Sequence, residues 1–419
     1  KVRRLIEKKG YDPERPIYLG YDDAARGGFR EAGYDFDVFK KHFWVSGTTG
    51  AGKTTVLHNK ALHHAFGNHG FCNIDPKADG DTIDLLRKIP AVRLDDVIFI
   101  EPGSSQFDRT IGINILDVPA IEDRDEREKE IENRLENLTA IFDNDDYWGP
   151  TMASITESMG RAMLRHNAEV SLDPDRDASD KYSVIDMYFI LLDQERRENF
   201  AETVDDPYLR DFLWQIADMK DEEVRPLLKR IKRWVENPIV RRIVAQREST
   251  IDWDRIVDEG KILLVRIPVD SKDVHQMITL TVLRNLWSAK KRQVRDDDRP
   301  DDQPYFVQVD EFEKVANENL NMDGMLARAR SFWLSVSLGT QYPGQIKTDH
   351  EPILRAMENN CNTLLAMKTP GSKDSKLLMQ RFTDYDSTDL INTDQHRTWT
   401  KIPLPDGTES EPVNIKTFA

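Results

Sequence analysis

Gly47-Thr48-Thr49-Gly50-Ala51-Gly52-Lys53-Thr54, directly after the apolar run Phe43-Trp44-Val45, is a complete G-x-x-x-x-G-K-T loop. Glycines let the backbone curl so that successive N–H groups point inward, and the following helix adds its positive N-terminal end to the same spot. The motif predicts a phosphate-binding loop, with residues Gly47, Thr48, Thr49, Gly50, Ala51, Gly52, Lys53, Thr54 and Thr55 around a nucleoside triphosphate. Lys53 is expected to reach the β- and γ-phosphates and Thr54 to ligate Mg²⁺. The context agrees: Lys41 to Val45 reads as a strand and Thr54 to Leu62 as a helix.

Working outward, the rhythm is βαβ. Tyr18 to about Phe39 reads as a strand or hairpin, Phe71-Cys72-Asn73-Ile74 as a strand, Thr82 to Lys88 as a helix and Val97 to Ile100 as a buried strand. Both inner strands end in Pro-containing acidic turns, Asp75-Pro76 and Glu101-Pro102. From Ile121 to about Gln246 the pattern turns helical, through Ile141, then Met152 to Leu164, Val184 to Leu192, Tyr208 to Ala217 and Glu222 to Val235. The sheet resumes with Lys261 to Ile267, a helix from Val274 to Arg292, and a charged connector from Arg295 to Gln303. Strands follow at Tyr305 to Val309, Leu334 to Leu338 and Thr363 to Met367, with a helix from Met325 to Ser331 and two weaker strands after Arg397. The expected fold class is α/β, a mainly parallel sheet with helices on its faces and an inserted all-α domain. The expected pieces are 1–118 (core with the phosphate loop), 119–250 (all-α insertion) and 251–419 (the rest of the core).

The 419 residues suffice for a full core, and 59 Lys and Arg against 75 acids give a net charge of −16. The surface as a whole repels nucleic acid, so any DNA contact must be local. Cys72 and Cys361 stand far apart without a C-x-x-C or His-rich partner, which argues against a disulfide framework or zinc site. No apolar run reaches the roughly 20 residues that cross a bilayer. The expected localisation is cytoplasmic, with attachment to the cytoplasmic face of a membrane left to a region preceding Lys1.

A phosphate loop alone does not separate a kinase from a GTPase or a motor. Tyr305-Phe306-Val307-Gln308-Val309 ends in two adjacent acids, Asp310 and Glu311. Asp310 at the strand tip suits Mg²⁺, and Glu311 suits the orientation and deprotonation of an attacking water. Gly339-Thr340-Gln341 ends the next strand, where a neutral amide can bond the γ-phosphate or that water. Arg328 and Arg330 lie just upstream; an Arg crossing a subunit boundary can neutralise transition-state charge, and an ordinary surface Arg is the alternative. No N-K-x-D guanine motif occurs, since Asn59-Lys60-Ala61-Leu62 lacks the Asp.

Residues 47 to 54, Ile-Asp-Pro-Lys-Ala-Asp (74 to 79), Gly-Ile-Asn-Ile-Leu-Asp (112 to 117), the helical insertion, Val-Asp-Glu (309 to 311) and residues 329 to 341 come in an order that resembles the HerA/FtsK superfamily of ring ATPases. Within it the resemblance is best to conjugative type IV secretion ATPases, including TraG-like coupling proteins, and runs from about residue 17 to the end. It implies a RecA-like core, a homo-hexamer with ATP at subunit interfaces, and DNA, single- or double-stranded, passing through the ring, with a secretion-channel or membrane partner. By position, Lys53, Thr54, Asp310, Glu311 and Gln341 take nucleotide roles and Arg330 matches a trans-acting arginine. Neither the β-barrel of the HerA repair helicases nor the transmembrane helices of typical coupling proteins is visible. A secretion ATPase acting on protein, or a nucleotide-gated interaction protein without turnover, are the competing functions.

Arg225 to Glu248 is the most basic stretch, with Trp234 among its cations. It can hold phosphates and stack on bases. Alternatively it is an amphipathic helix burying Leu227, Leu228, Ile231 and Val235. The histidines, His63 and His64 included, lack ligand-like partners.

Overall fold

The structure, a computed structural model, describes residues 17–23, 30–34, 41–77, 81–102, 111–143, 148–269, 271–295, 303–316, 322–349, 351–383, 385–402 and 408–418. Ala78 and Asp79 of the 74-to-79 run, and most of the connector from Arg295 to Gln303, lie outside these. Two compact units emerge: Lys1–Glu101 with Trp253–Ala419, and Pro102–Asp252.

The first unit holds the strands β1 (Ile17–Asp22), β2 (Arg30–Tyr34), β3 (Phe43–Ser46), β4 (Gly70–Asp75), β5 (Val97–Ile100), β6 (Ile262–Arg266), β7 (Tyr305–Val309), β8 (Leu334–Thr340), β9 (Thr363–Met367), β10 (Arg397–Thr400) and β11 (Val413–Thr417). They form one sheet in the order β2-β1-β11-β10-β9-β3-β8-β7-β4-β6-β5. From β9 to β5 every pairing is parallel. From β2 to β9 every pairing is antiparallel. The mainly parallel α/β sheet expected from the sequence is therefore present, and it carries an antiparallel wing built from residues 17–34 and 397–417.

The central strands are buried along their whole length, polar residues such as Asn73, Gln308, Ser335 and Ser337 included. All residues of β3, β4, β7, β8 and β9 are buried. The Lys53–Phe66 helix runs from the phosphate loop along this sheet. It buries Val56, Leu57, Ala61 and Ala65, and seats Lys60, whose Nζ donates to Ser337 Oγ at 2.7 Å and sits 3.4 Å above the Phe43 ring. Burial holds that ammonium well below the usual lysine range.

In the second unit the secondary structure is helical: Arg124–Phe142, Pro150–Leu172, Val184–Leu191, Gln194–Glu202, Pro207–Ala217, Asp221–Glu236 and Pro238–Val244. Acidic residues cap three of these helix starts. Asp123, Asp193 and Asp206 accept backbone N–H bonds from Glu126, Arg196, and Tyr208 with Leu209. Gly112 to Asp117 belongs to this unit too, since Ile113 N–H donates to Ile243 O and Thr250 N–H to Gly112 O.

One close backbone approach fixes the entry of the chain into β4 and β6, beside the β5 edge of the sheet. Gly260, at φ +60°, turns the chain into β6 against Gly70, the first residue of β4. A Cβ on Gly70 would lie 2.6 Å from Tyr305 Cε2 and 2.7 Å from Gly260 Cα. Gly70→Ala is expected to cost about 1–3 kcal/mol by overpacking, read as a lower urea midpoint with unchanged m.

Candidate nucleotide site

The loop between β3 and the Lys53–Phe66 helix passes through positive φ at Gly50 (79°) and Gly52 (111°), conformations that only glycine adopts without strain. Gly47 N–H donates to Thr340 O at 3.1 Å and Thr48 N–H to Lys368 O at 2.9 Å, which pin the loop to the ends of β8 and β9. A later segment braces its other side: Gln395 Nε2 donates to Gly50 O at 2.7 Å and His396 N–H to Ala51 O at 3.0 Å. Thr49 and Gly50 stay exposed, whereas Ala51 and Lys53 are buried and Thr55 is half-buried.

Strands β3, β8, β7 and β4 are neighbours and parallel, so their C-terminal ends open on one crevice. Lys53 Nζ there donates to Gly47 O at 2.7 Å and Thr48 O at 3.4 Å. Burial lowers its pKa, opposed by the nearby Asp310 and Glu313 carboxylates. Thr54 Oγ1 donates to Asp310 Oδ2 at 2.6 Å. Asp310 is buried, yet Lys77, Thr54 and Lys53 overcome that burial and hold its carboxyl below the usual range. Glu311 follows at φ 44°, ψ 49°, a left-handed backbone that costs a β-carbon residue on the order of 1 kcal/mol or more. Gln341 Nε2 donates to Glu311 Oε1 at 3.4 Å, and Gln341 N–H to Glu313 Oε1 at 3.3 Å.

Three further residues complete the cluster. Lys77, two residues past β4, donates to Asp310 Oδ2 at 2.9 Å and pairs with Glu311 Oε1 at 3.4 Å. Although burial opposes it, these carboxylates hold its ammonium above the usual lysine range. Asp75 is pushed up to about 6 by burial and by Asp310, with Thr82 Oγ1 donating to its Oδ2 at 3.0 Å. Glu313 is pushed up to about 7, chiefly by burial and further by Glu311. The signals were present in Ile74-Asp75-Pro76-Lys77 and in the third acid of Asp310-Glu311-Phe312-Glu313, but only the folded sheet places them beside the phosphate loop.

Arg330 is not brought to this crevice within one chain. It is exposed in the short turn Arg330–Phe332 before β8, whereas the crevice lies past β8's far end, about 23 Å away at strand rise. In the second unit, Trp234 differs from the base-stacking reading: it is buried, with its ring 5.3 Å from Phe142. The amphipathic reading accounts for this in part: Leu227 and Ile231 are buried on the same face, whereas Leu228 and Val235, expected to be buried, are half-buried. Arg225, Lys229, Lys232, Arg233, Arg241 and Arg242 are exposed.

The Thr54 hydroxyl and Asp310 carboxylate are the hard oxygen donors that Mg²⁺ takes when phosphates supply further ligands, so the donor set fits that ion.

No protein-family model matches the sequence, and no curated protein matches it. The fold is nevertheless shared with solved structures. The plasmid coupling protein TrwB in complex with the GTP analogue GDPNP superposes with a TM-score of 0.63 over 98% of this chain and 96% of its own, at 13% identity. The same protein in complex with ADP and Mg²⁺ gives the same values. VirB4 of Thermoanaerobacter pseudethanolicus gives a TM-score of 0.64 over 98% of each chain, at 15% identity. At such identities the likeness is one of architecture alone, a large mainly parallel sheet with helices.

Glu313 sets a pH dependence with a definite sign. Its folded-state pKa of about 7 exceeds its ordinary 4.5, so its contribution is full below that lower value and is lost as pH rises through the higher one. Relative to wild type, Glu313→Gln should gain stability between about pH 5 and about pH 8, by at most about 3 kcal/mol. Urea unfolding of both proteins at each pH checks this; a gap equal at the two would contradict it.

Proposed function

We propose that this chain is an ATP-hydrolysing motor subunit of the kind found in conjugative and type IV secretion systems, and that its track is DNA. The observation that carries this reading is the 2.6 Å bond from Thr54 to Asp310, with Glu311 and Gln341 at adjoining strand ends. The shared architecture with TrwB and VirB4 supports it.

In this reading the loop N–H groups and Lys53 bind the triphosphate, and Thr54 with Asp310 hold Mg²⁺. The metal supplies neutralisation of the β- and γ-phosphate oxygens. Glu311 accepts a proton from water as the water oxygen bonds to the γ-phosphorus and the bond to the β–γ bridging oxygen breaks, releasing ADP and phosphate. Gln341, bonded to Glu311, orients that carboxylate and the water. Arg330 acts from a neighbouring subunit of a homo-hexamer, which suits an exposed arginine remote from its own crevice.

Glu311→Gln should lower kcat by about 100-fold or more while nucleotide still binds, and Lys53→Ala should weaken nucleotide binding itself. Hydrolysis by wild type should rise with single- or double-stranded DNA, and the active particle should have the mass of a ring. Indifference to both DNA forms would remove the DNA track, and an active monomer would remove the interface role of Arg330.

The exposed cations of the Asp221–Glu236 helix are the DNA contact we favour in an otherwise acidic chain. Replacing Arg225 and Lys229 together by Ala should reduce the log–log salt slope of DNA binding by about 2. An unchanged slope would place the contact elsewhere.

A further inference from the structure

Lys77 lies where a second cation must also go. Its Nζ stands 2.9 Å from Asp310 Oδ2, 3.4 Å from Thr54 Oγ1 and 3.4 Å from Glu311 Oε1. Two of these oxygens form the pair suited to Mg²⁺, and the third belongs to the residue expected to activate water. Asp310 Oδ2 already accepts from both Thr54 and Lys77. A divalent ion on the same carboxylate would face an ammonium a few ångströms away in a buried setting, where like charges repel far more than in water.

We propose that Lys77 is a built-in counter-cation that competes with the metal for Asp310, so that Mg²⁺ enters only together with a nucleotide whose phosphates offset the added charge. Free Mg²⁺ brings two positive charges to carboxylates that Lys77 has partly neutralised. A metal–nucleotide complex brings net negative charge and a second set of oxygens toward which an ammonium can turn. Exchange of partners at Asp310 also releases the side-chain tie from Lys77 to the end of β7, while the backbone bond from Asp310 N–H to Ile74 O keeps the strand ends paired, so loading of the site is transmitted to the Pro76-Lys77 turn. The inference rests on the reading of Thr54 and Asp310 as the metal-holding pair. A residue that merely braced two strand ends would change stability when removed and leave metal affinity as it was.

The test uses Mn²⁺ as the probe, titrated into the full chain and followed by the loss of free Mn²⁺ signal in electron paramagnetic resonance, with and without ADP. Lys77→Met should bind Mn²⁺ in the absence of nucleotide about tenfold or more tightly than wild type, and the gap should narrow when ADP is present. Lys77→Arg, which keeps the charge, should resemble wild type. Lys77→Gln replaces the Met variant if circular dichroism shows that the latter does not fold. Equal nucleotide-free Mn²⁺ affinity in wild type and the neutral variant overturns the proposal, as does an Arg variant that binds as tightly as the neutral one. Binding of a fluorescent ADP analogue is measured in parallel. If it fails in every protein, the nucleotide function falls, whereas the metal-only comparison still decides the role of Lys77.

Discussion

The hydrogen bond between Thr54 and Asp310 joins residues 256 positions apart and is the constraint on which the candidate site depends. It ties the first turn of the helix after β3 to the tip of β7, although β8 lies between those strands in the sheet. The reach is possible because β8 carries Gly339 at the crossing: a Cβ there would stand 3.0 Å from Asp310 Oδ1 and 3.1 Å from Leu57 Cδ1. Parallel order then does the rest. Strands running the same way leave their C-terminal ends in one crevice, so the loop after β3, the acids after β7 and the amide after β8 converge without any of them being near in sequence.

Electrostatics in this crevice run against the surface charge of the chain. A protein of net charge −16 gathers Asp75, Asp310, Glu311 and Glu313 around three lysines, Lys53, Lys77 and Lys314, the last 2.6 Å from Glu311 Oε2. Asp310 stays ionised through those partners, whereas Asp75 and Glu313, with weaker compensation, are raised toward neutrality. Carboxyl groups with separated pKa values in one place are what proton transfer at neutral pH requires. The left-handed backbone of Glu311 belongs to the same economy of strain, held by Glu311 N–H donating to Asp310 Oδ1 at 2.9 Å.

Short elements with clear boundaries were legible in the sequence almost to the residue, although Val97–Ile100, expected to be buried, is a mostly half-buried edge strand. Val97–Ile100, Tyr305–Val309 and Thr363–Met367 are short apolar runs bounded by turn residues, and Thr82–Lys88 has a clean start and stop. Gln194–Glu202 escaped because its composition, QERRENFAE, lacks the apolar stripe that marks a helix, and its stability comes from packing. Pro238–Val244 escaped as a short helix beginning at a proline right after another helix. In the site, the phosphate loop, the two adjacent acids and the strand-ending amide could be given roles, whereas Lys77, although inside the 74-to-79 run, and Glu313 could not. Lys77 and Glu313 matter through neighbours contributed by other strands, and no local pattern encodes that. Trp234 shows the converse: a helical segment with both cations and apolar residues has two consistent readings until its inward face is known.

The antiparallel wing has a consequence for how this protein is made. β11 completes the sheet between β1 and β10, and the segment before β10 supplies the bonds from Gln395 and His396 to Gly50 and Ala51. On the ribosome the phosphate loop emerges well before its last braces, which are encoded some 345 residues later. A truncated product therefore carries the whole motif without the bonds that set its shape. Synthesis through His396 is thus built into the geometry of the loop, and a chain released before that point is born with an unfinished site.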